Sequence, residues 1–232
     1  AAPCSICGAG CRMLFEQSES GDIIQVRPDP DGPANGGQAC VQGRFLLKGR
    51  LQGRDRLQRP HIRENGGWRE TTWDQALSVA AARLKAFAPG EVAVISDARA
   101  SNEELYLLQK FARSVLKTDV VGCVTPPGHL QCSEVLRRHL GFAAGSGSLD
   151  ELNQTDCIFA LGLNPAASHP IAGAKIRDAT LQGAKLLVAS PYKTSIARYA
   201  DFHLPCHPGS ELALVAGIAR HLLDQKQIDP AF

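Results

Sequence analysis

The chain has 232 residues, of which 44% are hydrophobic and 21% are charged, and its formal net charge is +2. This composition is typical of a globular protein with either one large domain or a small module followed by a medium domain. The near-neutral charge gives no electrostatic support for binding nucleic acid or an anionic membrane. Apolar segments stay shorter than the roughly 18 residues of a spanning helix, and no signal-peptide pattern is present. We therefore expect neither a nucleic-acid partner nor membrane insertion.

Four of the eight cysteines are grouped near the start of the sequence. They are Cys4, Cys7, Cys11 and Cys40, a C-x2-C-x3-C run followed by a fourth cysteine after 28 intervening residues. In a [4Fe-4S] cluster each of four thiolates ligates a different iron, which suits one short loop and one returning segment. The glycines within the run favour a tight turn whose amide groups can donate to the cluster sulfurs. The pattern predicts a [4Fe-4S] cluster.

Two alternatives remain open for these four cysteines: a zinc site and free cysteines in the core. A Cys4 zinc site uses the same ligands, although structural zinc sites usually have two paired knuckles and here the fourth cysteine stands alone. The other four cysteines are scattered, and we expect them to be buried free thiols in a reduced, cytoplasmic protein. They are Cys123, Cys132, Cys157 and Cys206.

The first predicted unit covers residues 1–57. Residues 12–16 and 22–27 are predicted strands joined by a turn, and the proline-rich residues 28–33 form a loop that returns Cys40 to the other cysteines. A short helix over residues 41–51 is rich in Arg and Lys. Its cations either offset the negative charge of the cluster or form a solvated face.

Residues 58–232 are predicted to form Rossmann-like α/β units. Predicted strands cover residues 59–63, 66–70, 92–96, 119–122, 157–162, 185–190 and 202–205; predicted helices cover residues 74–87, 102–116, 170–182, 194–199 and 210–225. Alternating strands and helices indicate right-handed βαβ units with a mostly parallel sheet. The continuous apolar run at residues 92–96 predicts a strand covered on both faces. Small residues at 141–148 mark a potential division into two lobes.

Several motifs, in order and spacing, resemble one family. They are the cysteine run, Cys40-Val41-Gln42-Gly43-Arg44-Phe45, Asp55-Arg56-Leu57, Arg59-Pro60-His61-Ile62-Arg63, Trp73-Asp74-Gln75-Ala76-Leu77, Gly162-Leu163-Asn164-Pro165-Ala166, His169-Pro170 and Ala197-Arg198-Tyr199-Ala200-Asp201. Nearly the whole chain resembles the N-terminal region of the large subunit of molybdenum- or tungsten-dependent formate dehydrogenases, within the molybdopterin oxidoreductase family. The resemblance implies a [4Fe-4S] cluster beside a pair of pterin guanine dinucleotides that bind the metal.

The sequence departs from this family at three groups that serve the pterin or the metal. Pro127 aligns with the Cys or selenocysteine that ligates molybdenum or tungsten, and a proline cannot ligate a metal. Shifting the alignment offers Cys123 or Cys132, but neither is followed by the family's His. Gln42 replaces a Lys between the cluster and the pterin. Ser190 stands where an acidic residue would accept hydrogen bonds from the nucleotide ribose.

These departures lead us to expect a relative that has lost molybdopterin guanine dinucleotide and molybdenum or tungsten. The chain also stops partway through the resembling region, so a dinucleotide pocket would have only part of its walls. A residual nucleotide site is expected at Asn164, Pro165 and His169, which follow a predicted strand at its carboxyl end; the alternative is an ordered turn.

The resulting prediction is a non-catalytic electron-transfer subunit or domain of a larger oxidoreductase complex. Its partners would be flavin- or ferredoxin-type redox subunits. Two alternatives remain: the N-terminal part of a catalytic formate dehydrogenase, and a zinc-bound structural module.

Overall fold

The structure is a computed structural model that describes residues 1–97, 99–124 and 128–229. It begins with an antiparallel sheet of order β1-β2-β3. The strands are β1 (Ala2–Pro3), β2 (Arg12–Gln17) and β3 (Ile23–Pro28). Phe15 pairs with Val26 in the middle of the β2–β3 hairpin, and the Ser18 N–H donates to the Asp22 carbonyl at 2.8 Å to close its turn. The predicted hairpin is confirmed.

A helical segment follows Cys40. It starts as a wide π-type turn over Gln42–Leu46 and continues as α1 (Leu47–Gln52). Only Gly43 and Leu47 are buried within this segment, four residues apart, so a single narrow side of the helix packs on the sheet below it. A two-stranded antiparallel hairpin, β4 (His61–Glu64) and β5 (Gly67–Glu70), then leads to the rest of the chain.

The first βα region begins with helix α2 (Trp73–Lys85), which the Thr72 side chain caps by accepting from the Gln75 N–H. Its other elements are β6 (Val94–Asp97), α3 (Asn102–Phe111) extended by a π-type turn over Ala112–Leu116, β7 (Val121–Val124) and α4 (His129–Leu140). Strands β6 and β7 pair in parallel, with Ile95 opposite Gly122. The predicted capping box is present, since the Ser101 hydroxyl accepts from the Glu104 N–H and the Glu104 carboxylate accepts from the Ser101 N–H.

The second βα region contains the larger apolar core. Its elements are β8 (Cys157–Leu161), α5 (Pro165–Ser168), α6 (Pro170–Leu181), β9 (Lys185–Ala189), β10 (Phe202–Leu204) and α7 (Glu211–Asp224). The three strands are parallel, in the order β10-β9-β8. Leu186 and Val188 are fully buried at the centre, against Ile158 on β8 and Ile176 on α6. The mixed α/β fold, with antiparallel strands first and parallel sheets later, is therefore confirmed.

Several details differ from the sequence-based expectation. Ile95 of β6 is 68% exposed, so this strand is not covered on both faces in the described chain. Helix α4 was not predicted. Three of the four scattered cysteines are exposed rather than buried: Cys123, Cys132 and Cys157. Within the described residues, no helix is both long and apolar enough to span a bilayer.

Candidate metal centre

The first three cysteines lie in a loop that closes on itself. Cys4 follows β1, and its N–H donates to the Cys11 carbonyl oxygen at 2.7 Å, so the two ends of the loop are hydrogen-bonded together. Gly10 has a φ of +71°, a left-handed backbone conformation that is costly for residues with a Cβ. The C-x2-C-x3-C spacing therefore folds into a tight turn that holds its cysteines close to one another.

The fourth cysteine joins the other three around one cavity. All four side chains line one small, largely enclosed cavity. Gly43 is part of its wall: a Cβ added there would lie 3.7 Å from both Cys4 Sγ and Cys40 Sγ. The Gly43 N–H donates to Cys40 Sγ at 3.3 Å. The helix backbone at this position therefore lies close to the sulfurs and supplies a hydrogen bond to one of them.

Asn35 fixes the segment that carries Cys40 relative to the loop that carries Cys11. Its side chain is fully buried, and its Oδ1 accepts from the Arg12 N–H at 2.8 Å. Its Nδ2 donates to the carbonyl oxygens of Arg12 at 3.3 Å and Gln38 at 2.8 Å. Because Arg12 follows Cys11 and Gln38 precedes Cys40 by two residues, one amide side chain sets the separation of two cysteines.

Asp29 supports the same loop through Arg12. The Arg12 Nε donates to Asp29 Oδ2 at 2.6 Å, and the Arg12 Nη2 donates to the Asp31 carbonyl at 2.7 Å. The hydrogen bond from the Asp31 N–H, and after it the contact with Arg12, holds the pKa of the Asp29 carboxyl below its ordinary value. The carboxylate therefore stays ionised and keeps Arg12 in place at neutral pH.

Apolar side chains surround the sulfurs. Met13, Val26 and Leu47 form a buried group with Cys11, and Ile171 from α6 completes it. Ile171 belongs to the second βα region, so this region forms part of the wall around the cysteines. A water-poor pocket of this kind strengthens electrostatic interactions and influences the potential of a redox group inside it.

Two of the thiols, Cys4 and Cys11, are difficult to ionise without a cation beside them. Burial, followed by the neighbouring sulfurs of Cys4, Cys7 and Cys40, raises the pKa of Cys11 to about 11. Burial also raises the pKa of Cys4. Four thiolates at this distance repel each other, so a positively charged metal core is required to hold them all in the ionised form that ligates metal.

The cavity suits a polynuclear cluster better than one ion. A single zinc ion draws four sulfurs to about 2.3 Å from a common point. Across the three described stretches of the chain, no group of three or more His, Cys, Asp or Glu side chains is placed to hold one metal ion. The donor set of four cysteines and the backbone donor at Gly43 fit a [4Fe-4S] cluster.

The three predicted nucleotide residues lie in and around α5, and His169 is the one shown to be close to the cysteine loop. Pro165 is buried, and Asn164 Oδ1 is buried without a hydrogen-bond partner among the described residues. His169 is exposed, and its Nε2 would lie 4.0 Å from a Cβ added to Gly8 of the cysteine loop. The structure thus places His169 beside the cluster loop and leaves Asn164 with an unused acceptor at the carboxyl end of β8.

The positions that depart from the family pattern have different environments. Gln42 is exposed at the start of the helix over the cysteines. Ser190 is 2% exposed, and its hydroxyl accepts from the Tyr192 N–H at 3.4 Å, so it caps its own turn. Cys123 and Cys132 are exposed. Pro127 lies outside the described residues.

Comparisons with family models cover almost the entire chain. Residues 1–49 match the model described as the molybdopterin oxidoreductase Fe4S4 domain, and residues 56–230 match the model described as molybdopterin oxidoreductase. The second match gives no support to the expected absence of a pterin cofactor. The first supports an iron–sulfur cluster in the N-terminal unit.

Curated relatives include formate dehydrogenase subunits. The F420-dependent formate dehydrogenase 2 subunit alpha of Methanococcus maripaludis is 35% identical over 229 residues, which is 99% of this chain and 34% of the relative. The probable oxidoreductase YjgC of Bacillus subtilis is 33% identical over 99% of this chain and 24% of its own length. The chain therefore spans about a third or less of the curated relatives that it matches.

Among solved structures, acetylene hydratase from Pelobacter acetylenicus shares the fold. It superimposes with a TM-score of 0.76 at 22% identity, over 98% of this chain and 32% of that chain.

Proposed function

The chain belongs to the molybdopterin oxidoreductase family, and we propose that it transfers single electrons within a formate dehydrogenase-like oxidoreductase through one [4Fe-4S] cluster on Cys4, Cys7, Cys11 and Cys40. The observation that supports this most strongly is the apolar cavity lined by all four cysteines. The match of residues 1–49 to an Fe4S4 domain supports it independently.

The residues around the cysteines suit this role. A [4Fe-4S] cluster supplies one-electron chemistry, and its potential depends on hydrogen bonds to sulfur and on exposure to water. The Gly43 N–H donates to Cys40 Sγ and so stabilises negative charge there. Met13 and Ile171, which are 1% and 3% exposed, keep water from the inner side of the cavity.

We propose further that this chain relays electrons and is not itself the site of molybdenum or tungsten catalysis. Gln42 provides no cation between the cluster and a neighbouring pterin. Ser190 is buried in its own turn and offers no carboxylate to a ribose. Both departures remove contacts to the pterin, while all four cluster cysteines are present.

A catalytic role is the second candidate, and a separate observation favours it. Besides Asn164 Oδ1 after β8, the buried Thr194 Oγ1 after β9 has no partner among the described residues. Both follow the carboxyl ends of neighbouring parallel strands, where open α/β sheets bind nucleotides. Under this candidate Asn164, Pro165 and His169 contact the guanine nucleotide of a pterin cofactor, and the chain is the N-terminal part of a catalytic formate dehydrogenase.

Metal analysis of anaerobically prepared protein, with an EPR spectrum after dithionite reduction, tests both candidates. We expect about four irons per chain, a reduced-cluster signal and no molybdenum or tungsten. Cys11→Ser should abolish the signal, while the matched control Cys157→Ser, at an exposed cysteine, should keep it. Zinc without iron would overturn the electron-transfer proposal and favour the structural zinc module.

The two roles are separated by pterin content and nucleotide binding. Stoichiometric molybdenum or tungsten with pterin would overturn the relay and require formate to be tested as a substrate. Titration with GMP, followed by calorimetry in the wild type and in Asn164→Ala, measures the nucleotide site by itself.

The partners of such a relay are other redox subunits, of flavin or ferredoxin type, and we propose a cytoplasmic location for the complex. Two relatives from Methanococcus maripaludis are named as alpha subunits, which supports assembly with further chains. Co-purification of the tagged chain from its native cells tests this directly.

A further inference from the structure

Positive charge is concentrated in the stretch of sequence that follows Cys40, although Arg59 at its end pairs with Glu70. Residues 41–59 contain six cations and one carboxylate: Arg44, Lys48, Arg50, Arg54, Arg56 and Arg59 against Asp55. This stretch has a net charge of +5 in a chain of net charge +2, so the remaining residues together are negative. A local field of this kind attracts an acidic partner even though the whole chain is close to neutral.

Four exposed side chains of the helix form a continuous surface, which we call the basic face: Val41, Arg44, Phe45 and Lys48. They follow the i, i+3, i+4, i+7 spacing of neighbours on one helix side. Val41 is 73% exposed and Phe45 is 68% exposed. Among the described residues, neither Arg44 nor Lys48 makes a salt bridge, and Lys48 donates to the Ile24 carbonyl oxygen at 2.9 Å. Both charges are therefore available to a partner.

Hollows flank the basic face on both sides. One of about 630 Å³ lies between it and α6, where Pro170, Ala174 and Arg177 form the opposite wall. The other, of about 360 Å³, lies between it and β3. Arg44 and Phe45 line both hollows and so form the ridge between them. The ridge thus presents the exposed Phe45 with cations beside it. A partner with an acidic rim and a shallow apolar centre can cover such a surface.

The basic face also lies next to the redox centre. Gly43, on the inner side of the same helix, lies within contact distance of Cys4 Sγ and Cys40 Sγ. A protein bound over this helix is separated from the cluster by one helix thickness. Electron exchange requires such closeness, whereas nucleic-acid binding does not.

We propose that the basic face is the docking surface for an acidic one-electron carrier protein of the ferredoxin class. The inference rests on the proposed electron-transfer function and specifies its partner. One electron passes from the reduced carrier to the oxidised cluster, with no atoms transferred. A second copy of this chain is a poor occupant because two basic faces, each with Arg44 and Lys48 and no carboxylate, repel each other.

The test measures the second-order rate of electron exchange between the cluster-loaded full chain and a reduced plant-type [2Fe-2S] ferredoxin, by stopped flow at low and high salt. Wild type should react fastest at low salt. The double variant Arg44→Glu with Lys48→Glu should slow exchange by about tenfold or more at low salt and remove most of its salt dependence. The control Arg83→Glu with Lys85→Glu changes the same charge on exposed positions of α2, and it should slow exchange less than about twofold.

Several outcomes would contradict the proposal. Equal rates for the two double variants would overturn it. So would dimerisation of the chain that Arg44→Glu abolishes, or binding of a 20-nucleotide single-stranded DNA in place of ferredoxin.

Iron content and the EPR signal are measured on every variant. If wild type lacks the cluster, the electron-transfer function itself fails; if every variant has it and the rates are equal, only the docking surface fails. Should the glutamate variants lose iron, Arg44→Gln with Lys48→Gln provides the same comparison with smaller perturbation.

Discussion

The two βα regions share one sequence pattern and differ in how well they are packed. In the second region, Leu186 and Val188 of β9 are completely buried, and α6 buries five of its twelve residues. In the first region, helices α2, α3 and α4 bury none of their residues, and Ile95 and Val124 are about 70% exposed. Alternation of strands and helices therefore predicts topology, but it does not determine which sheet becomes a closed core.

The packed region is also the one that reaches the cysteines. Ile171 of α6 is in the apolar group around Cys11, and Asp178 of α6 accepts from the Gln38 Nε2 at 3.2 Å. Stability of the β8–β9–β10 sheet and retention of the cluster should consequently be linked. None of the first region's described residues lines this cavity.

Truncating equivalent strand residues should give the largest difference between the regions. Leu186→Ala removes a fully buried side chain and should lower the free energy of unfolding by about 2–5 kcal/mol. Ile95→Ala removes a side chain that is 68% exposed and should cost less than about 0.5 kcal/mol. Urea denaturation followed by circular dichroism measures both, and equal losses would refute the comparison.

Removing the Asn35 side chain should have the next largest effect, and it should act on the cluster. Asn35→Ala leaves the Arg12 N–H and the Gln38 carbonyl without their buried partner, at a cost of about 1–3 kcal/mol. The separation of Cys11 and Cys40 then loosens, so we expect iron to be lost faster to a chelator. Asn102→Ala, at an exposed helix position, is the matched control. Equal rates of iron loss would show that Asn35 does not position the cysteines.

The cysteine spacing and the order of elements were predictable because both depend on local sequence. The structural role of Asn35 was not predictable, since one of its partners, Arg12, lies 23 residues away and the other lies in the returning loop. The only sequence signal for a turn there was its position between Pro33 and Gly36. Helix α4 lacks an N-cap side chain, because Gly128 precedes it, although Gly141 in a left-handed conformation at its end was a usable stop signal. The exposure of Ile95 depends on what packs against the sheet, which local pattern does not specify.

A smaller change tests the contact between α6 and the cluster unit. Ile171→Val removes one methylene from a side chain that is 3% exposed and should cost about 0.5–1.5 kcal/mol. Because this side chain lines the cavity, the variant should also admit water and shift the midpoint potential of the cluster. Leu181→Ala on the same helix, at a 70% exposed position, should leave both quantities unchanged. A potential that is identical in Ile171→Val and wild type would mean that α6 supports the fold without influencing the cluster.

The smallest expected effect concerns acid stability, and it again separates the two regions. The hydrogen bond from Lys185, and after it the one from the Leu186 N–H, lowers the pKa of Asp201. Through these two bonds the Asp201 carboxylate joins the start of β10 to β9. Because the pKa of Asp201 is lower in the folded protein than in the unfolded chain, where it is near 4, its carboxylate stabilises the fold at pH values above the unfolded-state pKa. That contribution is lost as the pH falls through the folded-state pKa. Arg99 lowers the pKa of Asp97 in β6 to about 2, but this pair lies only two residues apart and joins no separate strands.

Asp201→Asn should therefore be less stable than wild type at pH 6 and equally stable near pH 2, whereas Asp97→Asn should change the denaturation midpoint less at either pH. A difference between Asp201→Asn and wild type that persists at pH 2 would show that the side chain acts through packing and not through its charge.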